Sequence, residues 1–397
     1  MIDQRTSRRA SAPVAFAGLL AASLALAGCS ADSNGTSGGD GTVGQTTGST
    51  TGSTGGGTTG GTTTGGNPNV ALYTSLDQGG GVGTVIGLDD TLSTIEQTIN
   101  TGLDGEITVN NGTLYQAGLL NSAGTVRALV NIGSRGADVT YDDTQDISAP
   151  IEMVQPQGIV VGPFGYEPVV ADAQTDDAKP AVHLLTRFKL LSTSKQAPSE
   201  YQSILRSTAG GSIWAVYFDI PGDRLFATRT DGTVDVFDNF IARSLLGEPP
   251  LSHTITPGKI DSTTGASVKI SKNLHGIAYN SKADILFVSD VGDTSNTTDG
   301  AIYVIKNASR ASDSATNGGD EIVVPSRIIA GSMTELGNPV GLSYSNNVLA
   351  VAEKANNLIL EFKNPALTGG GSNVAPDAAV APSTLGKSGS PISVSFP

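Results

Sequence analysis

One short segment recurs along the chain: Gly83-Thr84-Val85-Ile86, Gly124-Thr125-Val126-Arg127, Gly232-Thr233-Val234-Asp235 and Gly300-Ala301-Ile302-Tyr303. Ala181-Val182-His183-Leu184 and Asn357-Leu358-Ile359-Leu360 hold the matching places in two more copies. Each has the character of a strand start, most of them opening on a turn residue that leads into β-prone residues. Ahead of most lies a second β-rich run, such as Leu225-Phe226-Ala227 or Val348-Leu349-Ala350-Val351. Earlier still comes a third: Gly158-Ile159-Val160-Val161, Ala215-Val216-Tyr217-Phe218, Gly276-Ile277-Ala278-Tyr279 and Gly341-Leu342-Ser343-Tyr344. Gly158 to Asp172, Ala215 to Arg229 and Gly276 to Asp290 each span 14 residues, and Gly341 to Glu353 spans 12, as a shorter turn produces. A fourth run follows, for example Ser326-Arg327-Ile328-Ile329-Ala330. Four short strands per unit, with few helical stretches between, predict an all-β fold built of propeller blades. A β-helix or a pair of β-sandwiches is the alternative.

The chain ends fix the count. The first unit begins at Ala71-Leu72-Tyr73 with no inner strand before it. The final Pro391-Ile392-Ser393-Val394-Ser395-Phe396 matches the inner-strand text Pro339-Val340-Gly341-Leu342-Ser343-Tyr344. The C-terminal strand is therefore expected to complete the first blade, closing a six-bladed β-propeller and removing its open sheet edges.

Before this domain, placed at 68–397, the sequence has a different character. Arg5, Arg8 and Arg9 precede an uncharged apolar run from Pro13 to Ala27. A basic start, an apolar middle and small residues at the end make a secretory signal, here 1–28. The run is short for a bilayer span of about 20 residues. From 29 to 67 the chain is dominated by Gly, Ser and Thr, with no apolar pattern that can close a core. Such a linker reaches on the order of 30–35 Å as a flexible coil. The precursor carries a formal charge of −14. Its first 28 residues hold one aspartate against three arginines, so excision leaves about −16. An acidic body of this kind is repelled by phosphate backbones and anionic lipid surfaces, which argues against nucleic acid as a partner.

Leu26-Ala27-Gly28-Cys29 resembles the bacterial lipobox, and Cys29 is the only cysteine in the chain. The resemblance implies acylation of Cys29, a lipid anchor in the cell envelope and, with Ser30 following, sorting to the outer membrane with a periplasmic or surface-exposed domain. Several acyl chains give stable anchoring, at about 0.8 kcal/mol per buried CH₂. The run from Pro325 to Ser332, then Asn338-Pro339-Val340-Gly341-Leu342, is similar to the NHL-like (lactonase/YVTN-type) repeat family of bacterial propellers. The likeness is good over 270–397, looser over 150–260 and faint over 69–150. It speaks for the fold far more than for any activity.

Carried over by position, that resemblance places Gln157, Trp214, His275, Val340 and Ile392 at the mouth of a central funnel. Asp172, Arg229, Asp290 and Glu353, at the ends of second strands, are expected to add to the ring. The mixture suits a small polar ligand, although Asp at strand ends also caps turns. Two function classes follow. One is a membrane-anchored extracytoplasmic module that binds a small polar ligand or an envelope protein, with no cofactor and no catalysis. The other is a metal-dependent lactonase, a gluconolactonase-like hydrolase or lyase that uses the funnel carboxylates on Ca²⁺. For the metal, Asp290, Asp293 and Asp299 in the loop 290–300 are the candidates, without the closing Glu of an EF-hand. His183, His253 and His275 occupy different unit positions and form no evident pair. No nucleophile elbow, His-Glu-x-x-His pair, phosphate loop or zinc pattern is present.

Overall fold

The β-rich runs pair into six antiparallel sheets. A computed structural model describes residues 69–397 apart from 81, 143–146, 151, 163–166, 175–179, 186–201, 207–210, 245, 248–250, 294, 315–319 and 368–370. The signal segment, Cys29 and the Gly/Ser/Thr-rich stretch lie outside the described residues.

The sheets are the six blades of a β-propeller. Blade 2 runs Asp104–Asn110, Thr113–Leu120, Ala123–Leu129, Ile147–Pro150 from axis to rim. Blade 3 follows with Pro156–Val161, Pro168–Asp172, Pro180–Leu184, Gln202–Arg206, and blade 4 with Ile213–Asp219, Arg224–Arg229, Val234–Asp238, His253–Ile260. Blade 5 is Leu274–Asn280, Ile285–Asp290, Ala301–Lys306, Arg327–Ala330, and blade 6 is Pro339–Ser345, Val348–Glu353, Leu358–Lys363, Ala378–Val380. Blade 1 takes its innermost strand, Ser390–Ser395, from the end of the chain and adds Leu72–Asp77, Gly83–Leu88 and Ile95–Asn100. The pairing Tyr73↔Ser395 to Asp77↔Ser390 joins the two ends of the domain.

Two blades depart from four strands. Asp138–Thr140 lies parallel to the rim strand of blade 1, and the long rim strand of blade 4 carries the hairpin partner Ser267–Lys269 and the parallel Asp320–Val323. These pieces are three or four residues long and belong to no repeat, so periodicity could not announce them. The short turn between the first two strands of blade 6 has a plain cause. Asn346 and Asn347 both take positive φ, 47° and 63°, the two-residue turn that Asn tolerates best among residues with a side chain.

The core is divided rather than central. Six apolar clusters fill the six spaces between consecutive blades. Tyr73, Val85 and Ile99 meet Leu114 and Leu129 between blades 1 and 2, while Leu72, Leu76 and Ile86 meet Ala350 and Ile359 between blades 6 and 1. The other four interfaces repeat the arrangement. Apolar burial at about 25 cal/mol per Å² therefore holds blade to blade and leaves the axis open.

Near the axis the innermost strands almost touch. A Cβ on Gly158 would stand 2.7 Å from the Ala215 Cα, and one on Gly341 would stand 2.9 Å from the Ser393 Cα. A Cβ on Gly276 would meet the Leu342 backbone at 2.9 Å. The recurring small residue is the point where one blade's inner strand passes the next. Polar side chains knit the same layer: Ser289 Oγ accepts from Gly276 N at 2.8 Å, and Ser393 Oγ accepts from Ile107 N at 3.1 Å.

Deleting residues 390–397 exposes the edge of Leu72–Asp77 and takes Val394 and Phe396 out of the cluster between blades 6 and 1. The expected result is loss of a cooperative melt, read by circular dichroism, with aggregation in place of a lowered but sharp transition.

Candidate functional site

The narrow layer sets what stands above it. The residue just before each small position is Asp104, Gln157, Trp214, His275, Val340 or Ile392, one per blade, and all six line a cavity of about 430 Å³ at the upper end of the axis. That volume lies within the range of small-molecule sites. Asp77, Asn338 and Lys354 complete its polar wall. Below the layer lies a second cavity of about 290 Å³. Ile159, Val216, Ile277, Leu342 and Val394 line it, and Glu106 borders both cavities.

Glu106 follows Gly105 in blade 2 at the position the other five blades give to aliphatic residues. No hydrogen bond or ion pair holds its carboxyl among the described residues. Burial alone raises its pKa well above the carboxylate range, because the charged form loses water and gains no partner. Asp104 is also raised, first by burial and then by the nearby Asp77 carboxylate, with Lys354 acting weakly in the other direction. Lys354 Nζ stands 3.4 Å from Asp77 Oδ2 at the rim, where both side chains are partly exposed.

His275 and Trp214 stack face to face, with ring centroids 3.8 Å apart and planes 14° from parallel. The histidine is 7% exposed, and its Nδ1 has no hydrogen-bond partner among the described residues. Burial, then the charge of Lys354, lowers its pKa to about 3, so the ring is neutral through the physiological range. Thr228 Oγ1 donates to the His275 carbonyl and fixes the strand that carries it. Asn338 Oδ1 is likewise buried without a partner.

Asp172, Arg229, Asp290 and Glu353 do not join this ring. Their side chains bind the loops that enter the innermost strands. Asp172 accepts from the backbone N of Val154 at 3.0 Å and of Gln155 at 2.6 Å. Asp290 accepts from Lys272 N, Asn273 N and Gly292 N at 2.8–2.9 Å and from Tyr303 Oη at 3.0 Å. Glu353 accepts from the backbone N of Gly337, Asn338, Ala355 and Asn356. In blade 4, Arg229 reverses the polarity: it donates to Gly211 O at 2.9 Å and pairs with Asp235 at 2.9 Å. A loop whose N–H groups would otherwise be buried unpaired needs such an acceptor. The funnel expectation for these four residues is corrected on that ground.

The candidate Ca²⁺ ligands are committed to other partners. Asp290 is committed to its loop, Asp293 Oδ1 accepts from Ser295, and Asp299 Oδ2 pairs with Lys272 Nζ at 2.9 Å. Among the described residues no three His, Cys, Asp or Glu side chains gather as a metal-holding group. His183 and His253 are buried in blades 3 and 4, away from the axial cavities.

No family model and no curated protein matches the chain by sequence. Solved structures share its fold. A chain of the nidogen/laminin complex superposes with a TM-score of 0.50 at 10% identity, over 82% of this chain and 97% of that one. A protein from Lactobacillus plantarum gives 0.49 at 12% identity, over 83% and 99%. A Bacteroides uniformis protein provisionally named a 6-phosphogluconolactonase gives 0.44 at 13% identity, over 82% and 85%. At these identities the likeness is one of fold alone.

Asp290→Ala leaves at least two buried loop N–H groups unpaired and is expected to cost about 3 kcal/mol in urea unfolding. The freed loop 271–273 leads into His275, so the Trp214 emission should also shift to the red. Glu106→Gln acts in the opposite sense. With a folded pKa raised above the unfolded one, Glu106 weakens the fold as pH rises through that interval and is harmless below it. The variant should therefore melt higher than the parent at pH 8, with the difference vanishing near pH 4.

Proposed function

We propose that the chain is a small-molecule-binding propeller whose ligand enters the upper axial cavity, displayed outside the cytoplasm on a lipid at Cys29. The observation that carries this reading is the buried, unpartnered His275 stacked on Trp214 in the wall of a 430 Å³ cavity that six blades build together. A buried polar atom without a partner costs about 1–3 kcal/mol. A cavity that keeps several of them beside aromatic surface is arranged for something to complete. Gln157, half-buried in the same wall, supplies an amide that can turn either its donor or its acceptor to a ligand.

Binding is the better-supported class. A hydrolase of the lactonase type needs several oxygen ligands about 2.3–2.6 Å from one ion. Asp172, Asp290 and Glu353 hold backbone N–H groups instead, so their oxygens are occupied and turned from the lumen. The lipid anchor and envelope location rest on the Leu26-Ala27-Gly28-Cys29 text, and the Gly/Ser/Thr-rich linker after it would hold the domain clear of the bilayer.

Trp214 is the only tryptophan in the chain, so selectively excited tryptophan emission reports on this cavity. Residues 68–397 titrated with a panel of sugars, sugar acids, amines and amino acids should give at least one saturable change in emission. Gln157→Phe, which fills the mouth, should weaken that response at least tenfold. A flat response across the panel, or one that Gln157→Phe leaves intact, rejects the axial site.

A further inference from the structure

We propose that the ligand of the axial cavity is a small organic cation, an ammonium or guanidinium compound, whose charge is met by Glu106 and Asp104. The inference rests on the axial-site reading and adds the chemical class.

The cavity holds more acceptors than donors. Asp77 already has a cation, Lys354. Asp104 and Glu106 have no ion-pair partner within salt-bridge distance among the described residues, and Lys354 acts only weakly on Asp104. Asn338 Oδ1 is a buried acceptor without a donor. The His275 ring, neutral because burial denies it a proton, offers one further lone pair. A ligand that completes these groups must bring N–H donors and positive charge, which an anion or a neutral polyol does not. An ammonium or guanidinium group supplies both. A bare metal ion is the poorer fit, because it needs several carboxylates converging on one point. The apolar part of the same wall, Leu119, Val291, Val340 and Ile392, suits a hydrocarbon body better than a hydrated ion.

Glu106 makes the binding sensitive to pH. In the free protein desolvation without a partner holds its carboxyl pKa well above the ordinary carboxylate value. A cation placed beside it favours the carboxylate, so one proton passes to solvent as the ligand enters. Affinity then rises with pH until the free carboxyl ionises unaided. The groups facing Glu106 come from several blades: Asp104 on its own strand, Asp77 on blade 1, Lys354 on blade 6 and His275 on blade 5. Of the carboxyls, Asp104 is shifted in the same sense by burial and the Asp77 carboxylate, but less far. His275 stays neutral, and burial raises the phenols of Tyr217 and Tyr279 below.

The test is calorimetric titration of residues 68–397 with agmatine, putrescine and choline, each beside 1,4-butanediol and gluconate as neutral and anionic comparators. Measurements in phosphate and in cacodylate, anionic buffers whose ionisation heats differ, read the protons released. At least one cation should bind, release protons to the buffer as it does so, and bind more tightly as the pH is raised from acid toward neutral. Glu106→Gln should abolish the proton release and the pH dependence, and Asp104→Asn should weaken binding about tenfold. The thermal melt and the Trp214 emission establish that both variants are folded. Binding of gluconate or the diol without any cation overturns the class and leaves the axial site standing. Cation binding with no proton release, unchanged in Glu106→Gln, overturns the role of Glu106 and with it the proposal. Silence from all five compounds in both calorimetry and fluorescence counts against the axial site itself.

Discussion

The pairing of Ser390–Ser395 with Leu72–Asp77 is the contact on which the rest of the molecule depends. A propeller has no single core. Its apolar burial is parcelled into the spaces between blades, and each space is filled only if both neighbours are in place. Five of the six spaces join blades contiguous in sequence. The sixth joins the last blade to the first, and the strand that seats it is drawn from the opposite end of the domain. Backbone hydrogen bonds and side-chain packing thus close the ring together, and Ser393 continues the contact into blade 2 through Ile107.

Closing the ring is also what makes the site. The innermost strands converge until only Gly, Ala or Ser fits between them, and the residue before each of those positions is pushed to the axis. No single blade forms the cavity. Trp214 and His275 come from adjacent blades, Glu106 from blade 2 and Lys354 from blade 6. Polar residues in this fold divide into two sets with different work. One set, Asp172, Asp290 and Glu353, is saturated by loop N–H groups and fixes the geometry. The other, Glu106, Asp104, Asn338 and His275, is left short of partners and faces the lumen. Chemistry belongs to the second set, because a carboxylate already holding two to four N–H groups has little left to offer a ligand.

Much of this was legible in the sequence, and the part that was not has physical reasons. Strands follow from local alternation and turn residues, so the blade count and the closing strand could be read from Gly276, Gly341 and the terminal Pro391–Phe396 run. Placement of Gln157, Trp214, His275, Val340 and Ile392 at the axis follows from the same register. Asp172, Asp290 and Glu353 were misjudged because alternation tells where a strand ends and says nothing of which backbone groups nearby lack partners. Asp104 and Glu106 were missed for another cause. Blade 2 has the faintest repeat, and Gly105 was not aligned with Gly158 and its equivalents. The signal that could have found them is Asn111-Gly112, a two-residue hairpin turn with φ of 48° and 71° that fixes the register of Asp104–Asn110. Once Gly105 stands opposite Gly118, an acid at 106 falls where every other blade has an aliphatic side chain.

The central claim is that ring closure and site are one cooperative unit. It is tested most directly by amide hydrogen exchange at Val394, followed against Trp214 emission through a urea series. The two lie on different blades, so only a closed ring ties them together. Val394 is expected to exchange by the same opening that changes the Trp214 signal, with one free energy and one dependence on urea. Exchange at Val394 through a low-energy fraying of the last strand, with Trp214 unmoved, would contradict it.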